Sequence, residues 1–112
     1  MTNAYINVTD GVKRVMGKTT LYKKLLGMIT TSDAFSRFKD AYNQKDLTTC
    51  SNIAHEIKGM SGNLALTLLF ETSNKIMLKT KTEMITVEEF FEFESIWVKT
   101  LDVINETVST LV

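Results

Sequence analysis

The chain has no proline. Average usage would place about five in a chain of this length. Proline breaks helix interiors, so its absence suits long, uninterrupted helices. Cysteine occurs once, as Cys50, which excludes an intrachain disulfide and fits a reducing, cytoplasmic compartment. Charge of one sign is also missing: 13 Lys and Arg balance 13 Asp and Glu. Bulk electrostatics therefore favours neither nucleic acid nor an anionic membrane surface as a partner. No stretch approaches the roughly 20 apolar residues of a membrane span. The N-terminal MTNAYINVTDG lacks the charged and apolar regions of a signal peptide. Histidine occurs once, as His55. A metal site needs several ligands, and Cys50 points to a different face of the helix, so no metal is expected. No G-x-x-x-x-G-K-[ST] loop occurs, and one small domain leaves no room for an ATP-binding unit. An autonomous ATP-dependent kinase is excluded.

What remains is helical pattern. The 112 residues suggest one domain spanning 1–112. Thr9 to Gly17 opens with capping residues and ends in glycine, which predicts a short helix. The next helix starts near Lys18, with Leu21, Leu25 and Met28 on one face and Tyr22 and Ile29 beside it. Thr30-Thr31-Ser32-Asp33 is a predicted break. Phe35, Phe38, Ala41 and Tyr42 form the stripe of the following segment. Asp46 reads as an N-cap, and behind it Leu47, Cys50, Ala54, Ile57, Ser61 and Leu64 recur at three and four residues. A further helix is expected over Leu66 to Lys81, and Thr86-Val87-Glu88-Glu89 matches a capping box. The last helix carries Phe90, Phe93, Trp97, Leu101, Ile104, Val108 and Leu111. Strand-type alternation is weak throughout. The expectation is an all-α, antiparallel four-helix bundle over about 18–112, preceded by the short helix. Its stripes are used up by four helices, so a monomer is expected. Phe93, Trp97 and the methionines read as core.

One stretch stands out from this pattern: AHEIKGMSGNLAL, Ala54 to Leu66. His55 lies about 100° from Ala54 and so off the apolar stripe. Its own face carries Ser51 or Asn52 on one side and Lys58, Gly59 and Gly62 on the other. Each glycine costs roughly 0.5–1 kcal/mol against alanine in a helix interior. One offset is close approach of another body to His55; another is helix–helix packing. A Ser-His-Asp arrangement lacks its carboxylate: Ser51 is a neighbour, but Glu56 faces away. Imidazole acting as the nucleophile itself can take a phosphoryl group. That chemistry needs an accessible nitrogen, a nearby cation and room for the donor. Lys58 can supply the cation and the glycines the room. A lone histidine on a helix surface is often only a polar surface residue, and spacing alone does not decide between these readings.

The residues carry a resemblance. His55-Glu56-Ile57-Lys58-Gly59-Met60-Ser61-Gly62-Asn63-Leu64 is similar to the signature of histidine-containing phosphotransfer (Hpt) domains, H-x-[LI]-K-G-x-[SA]-G-N-[LI]-G. Gly11–Gly17 with Leu21–Leu26, Phe35–Asp46 and Leu66–Ile76 also resemble the family's pattern, which fades after about residue 80. The resemblance implies a four-helix bundle whose exposed histidine accepts a phosphoryl group from a receiver-domain aspartate and passes it to another receiver. On this chain it implies His55 as phospho-acceptor and Lys58 as stabiliser of the phosphoryl charge. Gly59 and Gly62 would clear the docking surface, Ser61 is the small inward residue, and Ser51 is supporting. Lys18, Lys23 and Lys24 could help meet an acidic receiver pocket. The implied partners are receiver domains of response regulators and of a hybrid sensor histidine kinase. No cofactor is expected on this chain; Mg²⁺ would be held by the partner's receiver. One position departs: most members have glycine where this chain has Ala65, read here as tightening helix packing. A free-standing carrier is the expectation. The alternatives are a non-phosphorylated interaction module of the same shape, a piece of a larger hybrid kinase, or an unrelated helical enzyme without a visible second catalytic residue.

Overall fold

Side-chain caps start three of the helices, at Asn7, Asp46 and Thr86, in the computed structural model, which describes residues 3–111. There are six: α1 Val8–Arg14, α2 Thr19–Thr30, α3 Ala34–Asn43, α4 Leu47–Asn63, α5 Thr67–Lys79 and α6 Val87–Thr110. Asp46 caps α4 as predicted, accepting from the Thr49 amide at 3.1 Å and the Thr49 hydroxyl at 2.6 Å. Those two bonds hold its carboxyl below the usual carboxylate range. At α6 the predicted capping box is complete: Thr86 Oγ1 accepts from Glu89 N, and Glu89 Oε1 accepts from Thr86 N. The first helix is shorter than expected, because the chain leaves it through Met16 and Gly17 at φ 60° and 78°. α5 likewise ends at Lys79 rather than Lys81.

α2 and α3 run the same way and together oppose α6. Lys23 Nζ donates to Leu111 O, Phe35 stacks on Trp97 at 5.9 Å, and Tyr42 stacks on Phe90 at 4.3 Å. They are one rod interrupted at the predicted Thr31–Asp33 break. α4 returns along α3 (Arg37 pairs with Glu56), α5 along α4, and α6 along α5 (Lys79 pairs with Glu89). The result is an up-down-up-down bundle of four rods, 43 Å long and 21 Å across. α1 lies over one end, where the Gly11 backbone meets the Tyr22 ring. Among the described residues no helix is long and apolar enough to cross a membrane.

The core is aromatic at the α3–α6 contact. Phe35, Phe38 and Phe93 pack at centroid distances of 5.0–5.7 Å. Two faces differ from their spacing. On α2 the spacing points Leu21, Leu25 and Met28 inward, but Tyr22, Leu26 and Ile29 are buried, and Met28 is 59% exposed. The two stripes lie one residue apart and share one period. Tyr22 selects between them, because its ring is fully buried and its hydroxyl donates to Leu64 O at 2.7 Å. On α6 the inward line is Trp97, Thr100, Ile104 and Thr107, while Leu101 and Val108 are half-buried. Each threonine hydroxyl donates to a carbonyl one turn back, at Ile96 and Val103, so neither is left unpaired in the core. The methionines divide as well. Met77 is buried and Met60 and Met84 pack against the core, but Met16 and Met28 lie outside it.

Candidate functional site

α4 is held from behind. Cys50, Ile53, Ala54, Ile57 and Ser61 are buried along one side. His55 projects from the opposite side, exposed, in mid-helix. Its Nδ1 lies 3.2 Å from Met77 Sδ on α5. Its Nε2 has no hydrogen-bond partner among the described residues.

The other sequence candidates distribute around it. Lys58, one turn on, is half-buried, with Nζ 5.7 Å from the centre of the Phe70 ring. It rests on the ring face as a cation–π contact. Gly59 is exposed, and a Cβ built there would meet nothing within 4 Å. Gly62 is different: a Cβ there would sit 2.9 and 3.0 Å from Phe70 ring atoms. The two glycines therefore have separate causes. Gly62 makes room for the protein's own Phe70, whereas Gly59 leaves open surface on the turn next to His55. Ser61 is fully buried, its hydroxyl donating to Ile57 O at 2.7 Å and Lys58 O at 3.1 Å, the inward small residue that the resemblance implies. Ser51 does not bond to His55; its hydroxyl donates to Met77 O at 3.3 Å.

Ala65 is not packed within a helix. It follows the end of α4 at φ 57°, in the left-handed region. Leu66 N donates to Ser61 O at 2.9 Å and Ala65 N to Gly62 O at 3.3 Å, which is the pairing of a Schellman motif. Glycine fits that position without strain, so alanine here is strained rather than tightening. Arg14 on α1 fixes the same end of α4, donating to Gly62 O at 2.6 Å and pairing with Asp10.

Met77 and Phe70 are the site residues that sequence reasoning missed. A signal existed. In an antiparallel hairpin, residues equally distant from the turn face each other. His55 and Met77, and likewise Gly62 and Phe70, are symmetric about Leu66.

At the C-terminal end of α4 an open groove of about 650 Å³ runs between α4 and α2, lined by Leu25, Met28, Ile29, Met60 and Leu64. Lys13, Arg14, Lys18 and Lys24 are exposed on α1, α2 and the turn between them. Cys50 is buried, and burial, with the Asp46 charge adding, pushes its thiol up to about 11, away from the reactive thiolate. Among the described residues no three His, Cys, Asp or Glu side chains gather as a metal site.

The features define a class first: a helical bundle that presents one imidazole, one lysine and a bare stretch of helix on a single open face. Comparison with solved structures narrows it. The chain is similar to the Hpt domain of a sensor hybrid histidine kinase from Shewanella, with a TM-score of 0.84 over 95% of both chains at 19% sequence identity. It has the fold of an Hpt domain. No family model matches the sequence, and no curated protein does.

Proposed function

We propose that the protein is a phosphorelay carrier of two-component signalling. His55 takes a phosphoryl group from a receiver-domain aspartate and gives it to a second receiver. The observation that carries this reading is His55 itself, exposed on a rigid helix with Nε2 unpartnered beside the open surface at Gly59. Phosphoryl transfer asks for positioning and charge stabilisation more than for covalent machinery. A single imidazole with a cation nearby is therefore enough on the carrier's side.

The step is an in-line displacement at phosphorus. The Nε2 lone pair forms the N–P bond. The P–O bond to the donor aspartate breaks, and its electron pair returns to the carboxylate. The reverse step loads the acceptor. Lys58 leaves the Phe70 face to meet the phosphoryl oxygens, a short movement for a flexible side chain. Mg²⁺ belongs to the receiver's acidic pocket. The exposed lysines of the α1–α2 region suit such an acidic partner, and the apolar groove beside Met60 gives it a non-polar foothold. The partners are receiver domains of response regulators and of a hybrid sensor kinase, the working form is a monomer, and the setting is cytoplasmic.

The test is phosphoryl transfer from a panel of phosphorylated receivers to wild type and to His55→Gln. Acid-labile label on the wild type and none on the variant is the expected result. A folded wild type that takes label from no receiver would replace this reading with that of a docking module that is never phosphorylated.

A further inference from the structure

Among the described residues no carboxylate, carbonyl or hydroxyl orients the imidazole of His55. Its one side-chain neighbour within hydrogen-bond reach among them is a thioether, Met77 Sδ, 3.2 Å from Nδ1. A thioether has lone pairs and no proton to give. The only hydrogen bond this pair can form is Nδ1–H to Sδ. In the other tautomer the Nδ1 lone pair would face the sulfur lone pairs and gain nothing.

The sulfur is held in place. Met77 is buried on α5 at 7% exposure. Its carbonyl accepts from Ser51 Oγ on α4 at 3.3 Å and from Thr80 Oγ1 on its own helix at 3.2 Å. The Ser51 bond ties the α5 backbone at Met77 to α4 one turn before His55. Ser51 thus supports the histidine through Met77 rather than by touching it.

From this we infer that Met77 is a positioning residue for His55. It selects the tautomer with the proton on Nδ1 and leaves Nε2 bare toward solvent. The inference rests on the carrier reading for its purpose, since Nε2 is then ready to attack without a general base. Proton balance is simple. Nε2 has no proton to lose when the N–P bond forms, and Nδ1 keeps its own through both directions of transfer. The weakness of sulfur as an acceptor is useful here. A carboxylate in its place would favour the protonated ring, which is not nucleophilic. It would also steady the cationic phosphorylated ring and make it a poorer donor. A neutral, weak acceptor fixes the tautomer with little of either effect.

The experiment is a long-range ¹H–¹⁵N spectrum of the His55 ring, recorded at alkaline pH, in wild type and in Met77→Leu. Leucine keeps the approximate volume, so the fold should persist. Wild type is expected to hold its proton mainly on Nδ1. In the variant the tautomer ratio should shift toward Nε2–H by about fivefold, the worth of one modest hydrogen bond. The initial rate of transfer from a phosphorylated receiver should fall by no more than that factor. A wild-type ring protonated mainly on Nε2 overturns the inference, and this spectrum needs no variant to fold. Identical ratios in wild type and Met77→Leu overturn it as well. The spectrum is read without any phosphoryl donor, so it is separate from the carrier reading. Label on His55 with an unmoved tautomer ratio removes the role of Met77 and leaves the carrier. A shifted ratio with no label from any receiver removes the carrier and leaves the tautomer selection.

Discussion

Gly59→Ala pulls apart the two things a glycine can do in a helix. The site is mid-helix in α4 and exposed, and a Cβ there meets no atom within 4 Å. The folded protein therefore has no steric objection to alanine. Alanine should recover the helix cost of glycine, roughly 0.5–1 kcal/mol. For a bundle of this size that is a rise in melting temperature of about 2–5 °C. Transfer should move the other way. The new methyl lies one turn from His55 on the same face, where, on the proposed function, a receiver's loops must come within van der Waals contact for in-line attack. Forcing a methyl into a fitted contact costs about 1–3 kcal/mol, so kcat/KM for transfer from a receiver should fall by roughly fivefold to a hundredfold. Thermal unfolding and receiver-to-carrier transfer kinetics read the two effects on one sample. A small phosphoramidate donor adds a control, because it needs no docking loops and should phosphorylate variant and wild type alike. A variant that is more stable and transfers from its receiver at the wild-type rate would refute the idea that Gly59 clears a docking surface.

Ala65→Gly should stabilise the protein. Relief of the left-handed strain, about 1–2 kcal/mol, exceeds the roughly 0.8 kcal/mol of one buried methyl, and a shift in the urea midpoint measures the difference. Gly11→Ala should do the reverse: its Cβ would clash with the fully buried Tyr22 ring, and overpacking of about 1–3 kcal/mol should appear as a lowered midpoint. Burial, with the Asp10 charge adding, pushes the Tyr22 hydroxyl from 10.0 up to about 12, so the folded state prefers the neutral phenol. Its contribution is fully present below pH 10 and is lost as pH rises toward 12, on the order of 2 kcal/mol; Tyr22→Phe should remove that part of the alkaline slope of stability.

These predictions sort into what the sequence could and could not announce. Helix ends were legible where the side chain that caps is adjacent to what it caps. Asp46 and the Thr86–Glu89 box are local, so their positions follow from a few residues. Helix faces were legible only where one stripe stood alone. On α2 two apolar stripes lie side by side, and the choice was made by Tyr22 reaching Leu64 across the bundle. On α6 the buried Thr100 and Thr107 read as polar until their hydroxyls are seen to bond back onto their own helix. The relative placement of His55, Lys58 and Ser61 was legible because they share one helix, where spacing is geometry. Met77 and Phe70 were not, because their contact with α4 is made by the hairpin and has no period. Gly62 shows the limit most directly. By spacing it is the twin of Gly59, yet the space it leaves is filled by a ring eight residues further along the chain.

The bare front of α4 is possible only because its back is overdetermined. Gly59 and, in the last turn, Gly62 cost the helix at most roughly 1–2 kcal/mol together. Burying Ile53 and Ile57 stabilises by about 1.5–3 kcal/mol each, before Ala54 and Cys50 are considered. The Asp46 cap and the Schellman turn at Ala65 fasten the two ends. The order of these magnitudes matters for function. If packing did not exceed the glycine cost, the segment bearing His55 would fray, and an imidazole on a fraying helix cannot be placed to the fraction of an ångström that in-line attack needs. For the proposed transfer, a ring with one weak sulfur contact, an open side at Gly59 and no general base asks little of its own surroundings. What such a transfer asks for is rigidity from behind, and that is supplied by residues on the buried side of α4.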